Sequence, residues 1–520
     1  PRQRATSIGP YTSREMCRHL IEQARLLSIP ILEGRDVIRL LIMDQDGERR
    51  AVGALALNEE NQLEAYLAEN TVFAVGGPGG LYQTSVYPQV HNGAIGLALM
   101  AGVKACNLPE SQFGLASTKY RWNVSGTYMQ VIPRFISTAE DGSDEQEFLK
   151  PYFSSVGEMN GMVFLKGYQW PFDARKAIGG SSIIDILVYI ETVVKGRHVY
   201  LDFRNNPQGF RSEELPEEAL NYLTRSQALL DTPYARLHTM NPGAVELYRD
   251  HGIDLEVETL EVSICAQHNN GGLAGNIWWE STNTPHFFPV GEVNGSHGVS
   301  RPGGASLNAG QVGSIRAAEY IANCYPSWSL PEEATSRFLE KSIHEVLRWS
   351  SDCLHAPKTW EAEVAELRSR MTQAGAHIRS EVVLESAVHQ AWAQVSRIQA
   401  RACGTSHNGN LKGAFLAWQL SYAHAVYLDA ILFAVRSGVG SRGSAVVLDP
   451  QGSPVHPMLD ASWRITLEDP AYRLKLLETW VTPDGKVENK WVDRRPIPEP
   501  DSWFETTWAK FRNGDIYKTR

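Results

Sequence analysis

The sequence predicts a mixed α/β protein of several domains: an α/β part, an α+β segment and a long helical segment toward the C-terminus. Three observations carry that expectation. Twice, a short strand-like run ends in glycines and passes into a helical pattern, once from Asn70 through Gly76 and once at the strand ending in Val290-Gly291. Between those places, from 111 to 259, strand-like and helix-like runs alternate irregularly, in the α+β manner. From 331 to 437, apolar residues recur at helical spacing over long stretches. With 520 residues, 43% hydrophobic and 21% charged, the chain can form more than one sizeable core.

In chain order, Ser13 to Leu27 is a helical pattern, followed by strand-like runs at 30–32, 37–44 and 51–57. Asn70 to Val75 is β-rich and leads into Gly76-Gly77-Pro78-Gly79-Gly80. A helix is expected after His91-Asn92-Gly93. In the α+β segment, Met129 to Ile136, Met162 to Leu165 and His198 to Phe203 read as strands, and helices are expected near 215–231 and 243–250. Trp360 to Met371, Glu381 to Ala400 and His424 to Val435 read as helices. The end, 445–520, is rich in Pro, Trp and Asp with short strand-like runs, and reads as a docking tail.

The most informative stretch runs from Val290 to Gln311. Gly291, Gly295, Gly298, Gly303 and Gly304 permit close backbone approach to a ligand. From Ser306 onward, Leu307, Val312, Ile315 and Ile321 fall near helical spacing, so Ser306 stands where a helix begins with free N–H groups and a positive dipole end. Such an end favours a carboxylate, a phosphate or an anionic flavin ring. Arg301 adds a permanent charge able to fork onto a carboxylate. Taken alone, such a loop is as often a surface turn.

Several ordered motifs shift that balance. Gly291-Glu292, His297-Gly298, Arg301, Gly303 and Ser306-Leu307 resemble, in order and spacing, the FAD-dependent flavoprotein subunits of the succinate dehydrogenase and fumarate reductase family, which includes L-aspartate oxidases. Gly76, Gly77 and Gly79 are similar to the family's first glycine loop, and Asn92-Gly93 stands where its Thr-Gly-Asp-Gly helix begins, with Asn92 in place of Asp. Cys265-Ala-Gln-His268-Asn-Asn-Gly271-Gly272 is similar to its His-x-Thr-x-Gly-Gly loop, with His268 one place nearer the glycines. The resemblance implies an α/β FAD-binding domain of Rossmann type, N-terminally incomplete, with an inserted α+β capping domain and a C-terminal helical domain. It divides the chain into a first FAD-binding segment (1–110), a cap (111–259), a second FAD-binding segment (260–330), a helical domain (331–444) and a tail (445–520). It also implies FAD as cofactor, held by Gly76, Gly77, Gly79, Asn92, Gly93, Glu292, Ser306 and Leu307. Arg301 and His268 are then expected to bind a substrate carboxylate, with hydride exchange between flavin N5 and that substrate.

Two departures stand against the family pattern. The Gly-x-Gly-x-x-Gly fingerprint of a βαβ dinucleotide unit is missing where one is needed, so more than a hundred residues of the family's N-terminal region are expected to be absent through truncation, processing or a split gene. The literal match at Gly438-Val-Gly440-Ser-Arg-Gly443 follows a helix and precedes a strand, the reverse of the required context; Arg442 within it reads as a solvated loop residue. Counting back from the Val199–Asp202 strand, Ser181 occupies the place of the family's proton-donating arginine. A serine cannot replace a cationic acid. Arg175 and Lys176 lie close upstream, and Arg175 is taken as a third catalytic candidate.

Composition narrows the class further. A net charge of -10 without a basic run argues against nucleic acid. No apolar run approaches the roughly 18 residues of a membrane helix. Six cysteines without a Cys-x-x-Cys pair read as reduced thiols in a cytoplasmic protein, and no metal site is expected. An iron–sulfur or other electron-transfer subunit is the partner the resemblance implies, beside a small carboxylate substrate. The alternative from another class is a flavin-free binding or assembly subunit that retains the fold.

Overall fold

The structure is a computed structural model describing residues 11–45, 47–325, 332–405, 409–497 and 503–518. Its first helix, Thr12–Leu26, buries no residue, and Leu20 is 59% exposed. Residues 30–32 form no strand, and Ile31 and Leu32 lie exposed without a neighbouring strand to pair with. Asp36–Gln45, Glu48–Leu57 and Leu63–Leu67 then make an antiparallel meander.

One pairing decides the position of the site. Thr71–Phe73 lies parallel to Phe287–Pro289, Thr71 opposite Phe287 and Phe73 opposite Pro289. Parallel strands end on the same side, so the two glycine loops that follow them, 76–80 and 291–304, meet at the C-terminal end of this two-stranded pair. That is where ligands sit in open α/β sheets.

The insert is built on a five-stranded antiparallel sheet in the order Trp122–Asn123, Ser111–Ser117, Leu260–Asn269, His198–Asp202 and Arg134–Thr138. Two sequence expectations fail here. Met162 to Leu165 is the end of a helix, Val156–Leu165, begun by Ser155, whose Oγ accepts the Glu158 N–H at 3.1 Å while Glu158 returns to the Ser154 N–H at 2.9 Å. A short apolar run does not distinguish strand from buried helix, and the Ser-x-x-Glu cap is the better guide. Within the span 129–136, Thr127–Gln130 is helical and the strand starts only at Arg134. The helix expected near 243–250 forms as Pro242–Arg249, whereas the one expected over 215–231 covers only Glu217–Arg225, and a further helix follows at Pro233–Met240.

The C-terminal half is organised by Leu411–Arg436, a 26-residue helix apolar nearly all round, packed among Trp360–Arg370, Glu381–Arg401 and Ile95–Met100. A helix of that composition belongs inside a bundle. The expected docking tail is partly structural: Lys475–Val481 pairs with Val487–Asp493 and with Ala105–Cys106, joining the chain's end to its first third. Arg442 is also not solvated, for it lies 2.7 Å from Glu110 with both side chains buried. Among the described residues no helix is long and apolar enough to cross a membrane.

Candidate functional site

Where the two loops meet, Glu292 collects three partners on one carboxylate oxygen. The Tyr87 hydroxyl donates to Oε1, the Asn269 N–H donates at 2.8 Å, and His268 Nδ1 lies 3.1 Å away. His268 Nε2 is 2.8 Å from His297 Nδ1, so a chain of contacts runs Glu292–His268–His297. The far nitrogen, His297 Nε2, is buried and has no hydrogen-bond partner among the described residues. Burial opposes the Glu292 charge, yet the hydrogen bonds from His268 and Tyr87 hold its carboxyl below the ordinary range. Burial, reinforced by neighbouring His268, lowers His297 to about 4, which keeps its ring neutral near neutral pH.

His268 reaches this place through a β-bulge. Ala266 opposes Phe113 and His268 opposes Gln112, so Gln267 is the extra residue between them. Such a bulge re-aims the side chains after it. Both ring nitrogens of His268 are engaged, one by Glu292 and the other by His297.

Arg301 lies at the mouth of a cleft of about 110 Å³ between the insert and the 291–304 loop, lined also by Gln112, Gln169, Asp173, Arg175 and Lys176. Its Nε donates to Gln112 Oε1 at 3.1 Å, while Gln112 Nε2 donates to the Arg301 carbonyl at 3.2 Å, and Nη1 donates to the Pro302 carbonyl at 3.0 Å. The Nε and Nη1 bonds hold the guanidinium plane and leave Nη2 without a hydrogen bond among the described residues. Arg175 stands at the lip, 71% exposed, forked onto Asp173 at 3.0 and 2.7 Å. Lys176 is half-buried, its Nζ unpaired among the described residues, and burial pulls its pKa below the usual lysine value. Three cations thus face one carboxylate in the cleft, an arrangement that favours an anion.

Beneath the cleft, Ser181 Oγ donates to Gln169 Oε1 at 2.9 Å. Lys166 and Asp185 form an ion pair at 2.7 Å, with 1% and 0% of their side chains exposed. Burial raises the Asp185 carboxyl.

The expected cofactor residues divide into two groups. A Cβ on Gly76 would lie 2.6 Å from the His91 ring, and one on Gly79 2.6 Å from the Tyr87 ring, while one on Gly77 would collide with Glu292 and the Tyr87 hydroxyl. The chain's own side chains occupy the space over those glycines. Asn92 Oδ1 accepts from Arg368 at 2.7 Å and the Gly93 carbonyl accepts from Gln419 at 3.0 Å, so this turn fastens the site to the helical domain. By contrast, a Cβ on Gly291, Gly298, Gly303 or Gly304 would meet nothing within 4 Å, and Gly304 has φ 77°. The helix that follows, Ala305–Cys324, starts without a side-chain cap; Ser306 is half-buried and Leu307 is 37% exposed. That half of the site offers open space and free N–H groups.

Sequence reasoning named Glu292, His268, Arg301 and Arg175 but assigned no role to His297, Gln112 or Tyr87. His297 was visible inside the His-Gly motif. Gln112 and Tyr87 carried no signal, being about 190 and 205 positions from the partners they touch.

No protein-family profile matches the chain. It is 25% identical over 389 residues to a fumarate reductase (CoM/CoB) subunit of Methanothermobacter marburgensis, covering 73% of this chain and 60% of that protein. It is 24% identical over 313 residues to L-aspartate oxidase 2 of Ralstonia nicotianae, covering 59% and 48%. The chain therefore spans less than two thirds of the length of these curated relatives. Among solved structures, an E. coli quinol fumarate reductase superposes with a TM-score of 0.61 at 18% identity, covering 93% of this chain and 75% of that one. In sequence the chain is similar to these curated proteins, and its fold is that of the solved fumarate reductase.

Proposed function

We propose that this chain is the substrate-binding and catalytic portion of an FAD-dependent oxidoreductase acting on a small carboxylate. The observation that carries the reading is the cationic cleft. Arg301, oriented by Gln112, faces Lys176 and Arg175 beside the open glycine loop and the uncapped helix start.

The residues present fit a flavin in the 291–307 half, where Glu292, Ser306, Leu307 and the N–H groups of the helix start would hold it. When bound, FAD supplies two-electron chemistry at N5. The protein's share is binding and proton handling. Arg301 Nη2 donates to the substrate carboxylate, and Arg175 draws anions to the lip. Lys176, its pKa lowered by burial, takes the cationic acid role that Ser181 cannot fill. Glu292 fixes the orientation of His268, and His268 that of His297, whose free Nε2 serves the ligand as a neutral hydrogen-bonding group. An electron-transfer subunit would accept or deliver the electrons.

The test is the visible spectrum and intact mass of the chain purified from its native host. Viologen-coupled turnover would then be measured against a panel of mono- and dicarboxylates. Flavin absorbance with turnover that Arg301→Ala abolishes supports the reading. A colourless protein that neither takes up FAD nor binds dicarboxylates overturns it in favour of a flavin-free assembly subunit. The filled space over Gly76, Gly77 and Gly79 is the observation on that side.

A further inference from the structure

On the other face of the insert's sheet lies a second cavity, of about 170 Å³. Gln112 and Phe113 are consecutive on one strand and so point to opposite faces. Gln112 holds Arg301, while the Phe113 ring lies 5.7 Å from the ring of His377 in this second cavity. The cavity is therefore separate from the anion cleft, and its occupant is independent of the proposed function.

Three features mark it as a built site. His377 is 3% exposed and lines the space, yet neither ring nitrogen has a hydrogen-bond partner among the described residues. Buried polar groups are nearly always satisfied, so an imidazole lacking both bonds beside a cavity points to a ligand. Second, Tyr82, Phe113, Tyr189, Ile264 and Ala266 give the walls an aromatic and apolar part, set beside threonine, serine and glutamine side chains. Tyr189 stands edge-on to His377, ring centroids 5.1 Å apart at 89°. Third, the site is framed by two π-helical turns, Ile190–Val194 and Met371–Gly375, which contribute Thr192, Val193 and Thr372 to the lining. Such turns are rare and recur at functional sites.

We infer that this cavity binds one small, uncharged aromatic molecule carrying a single hydrogen-bonding group, of the phenol class. A cavity of about 150 Å³ accommodates a benzene-sized ring. The aromatic walls suit offset or edge-on ring contacts. The neutral imidazole offers a donor on one ring nitrogen and an acceptor on the other, and a hydroxyl, able to play either part, suits whichever nitrogen faces the cavity. Charge is disfavoured because no Asp, Glu, Lys or Arg lines the cavity to pair with an ion.

The experiment is binding of phenol, toluene and benzoate to the full chain, followed by calorimetry and by the imidazole NMR signals. Phenol is expected to saturate, to bind up to about tenfold tighter than toluene, as one net hydrogen bond allows, and to shift the His377 resonances. Benzoate is expected to leave those resonances in place. His377→Phe should bring phenol and toluene to parity, and Ala266→Leu, a milder variant that fills the cavity, should abolish both. Arg301→Ala should leave phenol binding intact. Absence of saturable phenol binding, or equal binding by the native chain and both cavity variants, would overturn the inference.

Discussion

At the scale of single residues, the site depends on polar side chains that hold one another before any ligand arrives. Arg301 is oriented by its Nε and Nη1 hydrogen bonds, so Lys at 301 would keep the charge and lose the planar group that those bonds hold. We expect Arg301→Lys to lower kcat/KM for a carboxylate by about a hundredfold, and Arg301→Ala by about a thousandfold, from the loss of charge-assisted hydrogen bonds; steady-state kinetics on the flavin-loaded protein would decide. The buried Lys166–Asp185 pair makes a separate claim. Removing one partner strands the other in a dry interior, so Asp185→Ala should cost about 3–5 kcal/mol in chemical denaturation, whereas replacing both residues with apolar ones of similar volume should cost much less.

At the scale of elements, the parallel pairing of Thr71–Phe73 with Phe287–Pro289 brings the two glycine loops together, and the bulge at Gln267 turns His268 onto Glu292. The helix Ile95–Met100 holds the first loop by pressing on Leu411–Arg436 at Gly96. A Cβ there would collide with the Gln419 carbonyl, which is backbone and cannot swing aside. Gly96→Ala is therefore expected to destabilise by about 1–3 kcal/mol, as overpacking does, and to loosen the Gln419–Gly93 bond. A melting temperature equal to that of the native chain would refute this packing argument. Helices with long apolar periodicity, Trp360–Arg370 and Glu381–Arg401, were legible because tertiary contacts only reinforce such patterns. Met162–Leu165 was misread because four apolar residues carry no period, and its helical cap lay upstream.

At the scale of the whole molecule, burial leaves several imidazoles neutral: His297 is lowered to about 4, and His377 and His424 to about 3. An unfolded histidine titrates near 6.5, so between those values the unfolded chain binds more protons than the folded one. Their contribution to stability is complete above about pH 6.5 and falls as the pH drops toward 3. Asp185 and Asp429, raised by burial, act in the opposite sense. We expect the melting temperature to fall from about pH 7 to about pH 4, and His377→Phe to remove about one proton from that dependence; an unchanged slope in the variant would refute it. By itself, the sequence determined the fold class, the glycine loop around Glu292 and Arg301, and the long helices, because glycine spacing and helical period are local properties of the chain. Only the tertiary structure decided that His297 ends a buried relay, that Gln112 orients Arg301, that Arg442 is buried against Glu110, and that the glycines at 76–79 are covered by Tyr87, His91 and Glu292. Those outcomes depend on residues far apart in the chain meeting in space, and no local pattern encodes such a meeting.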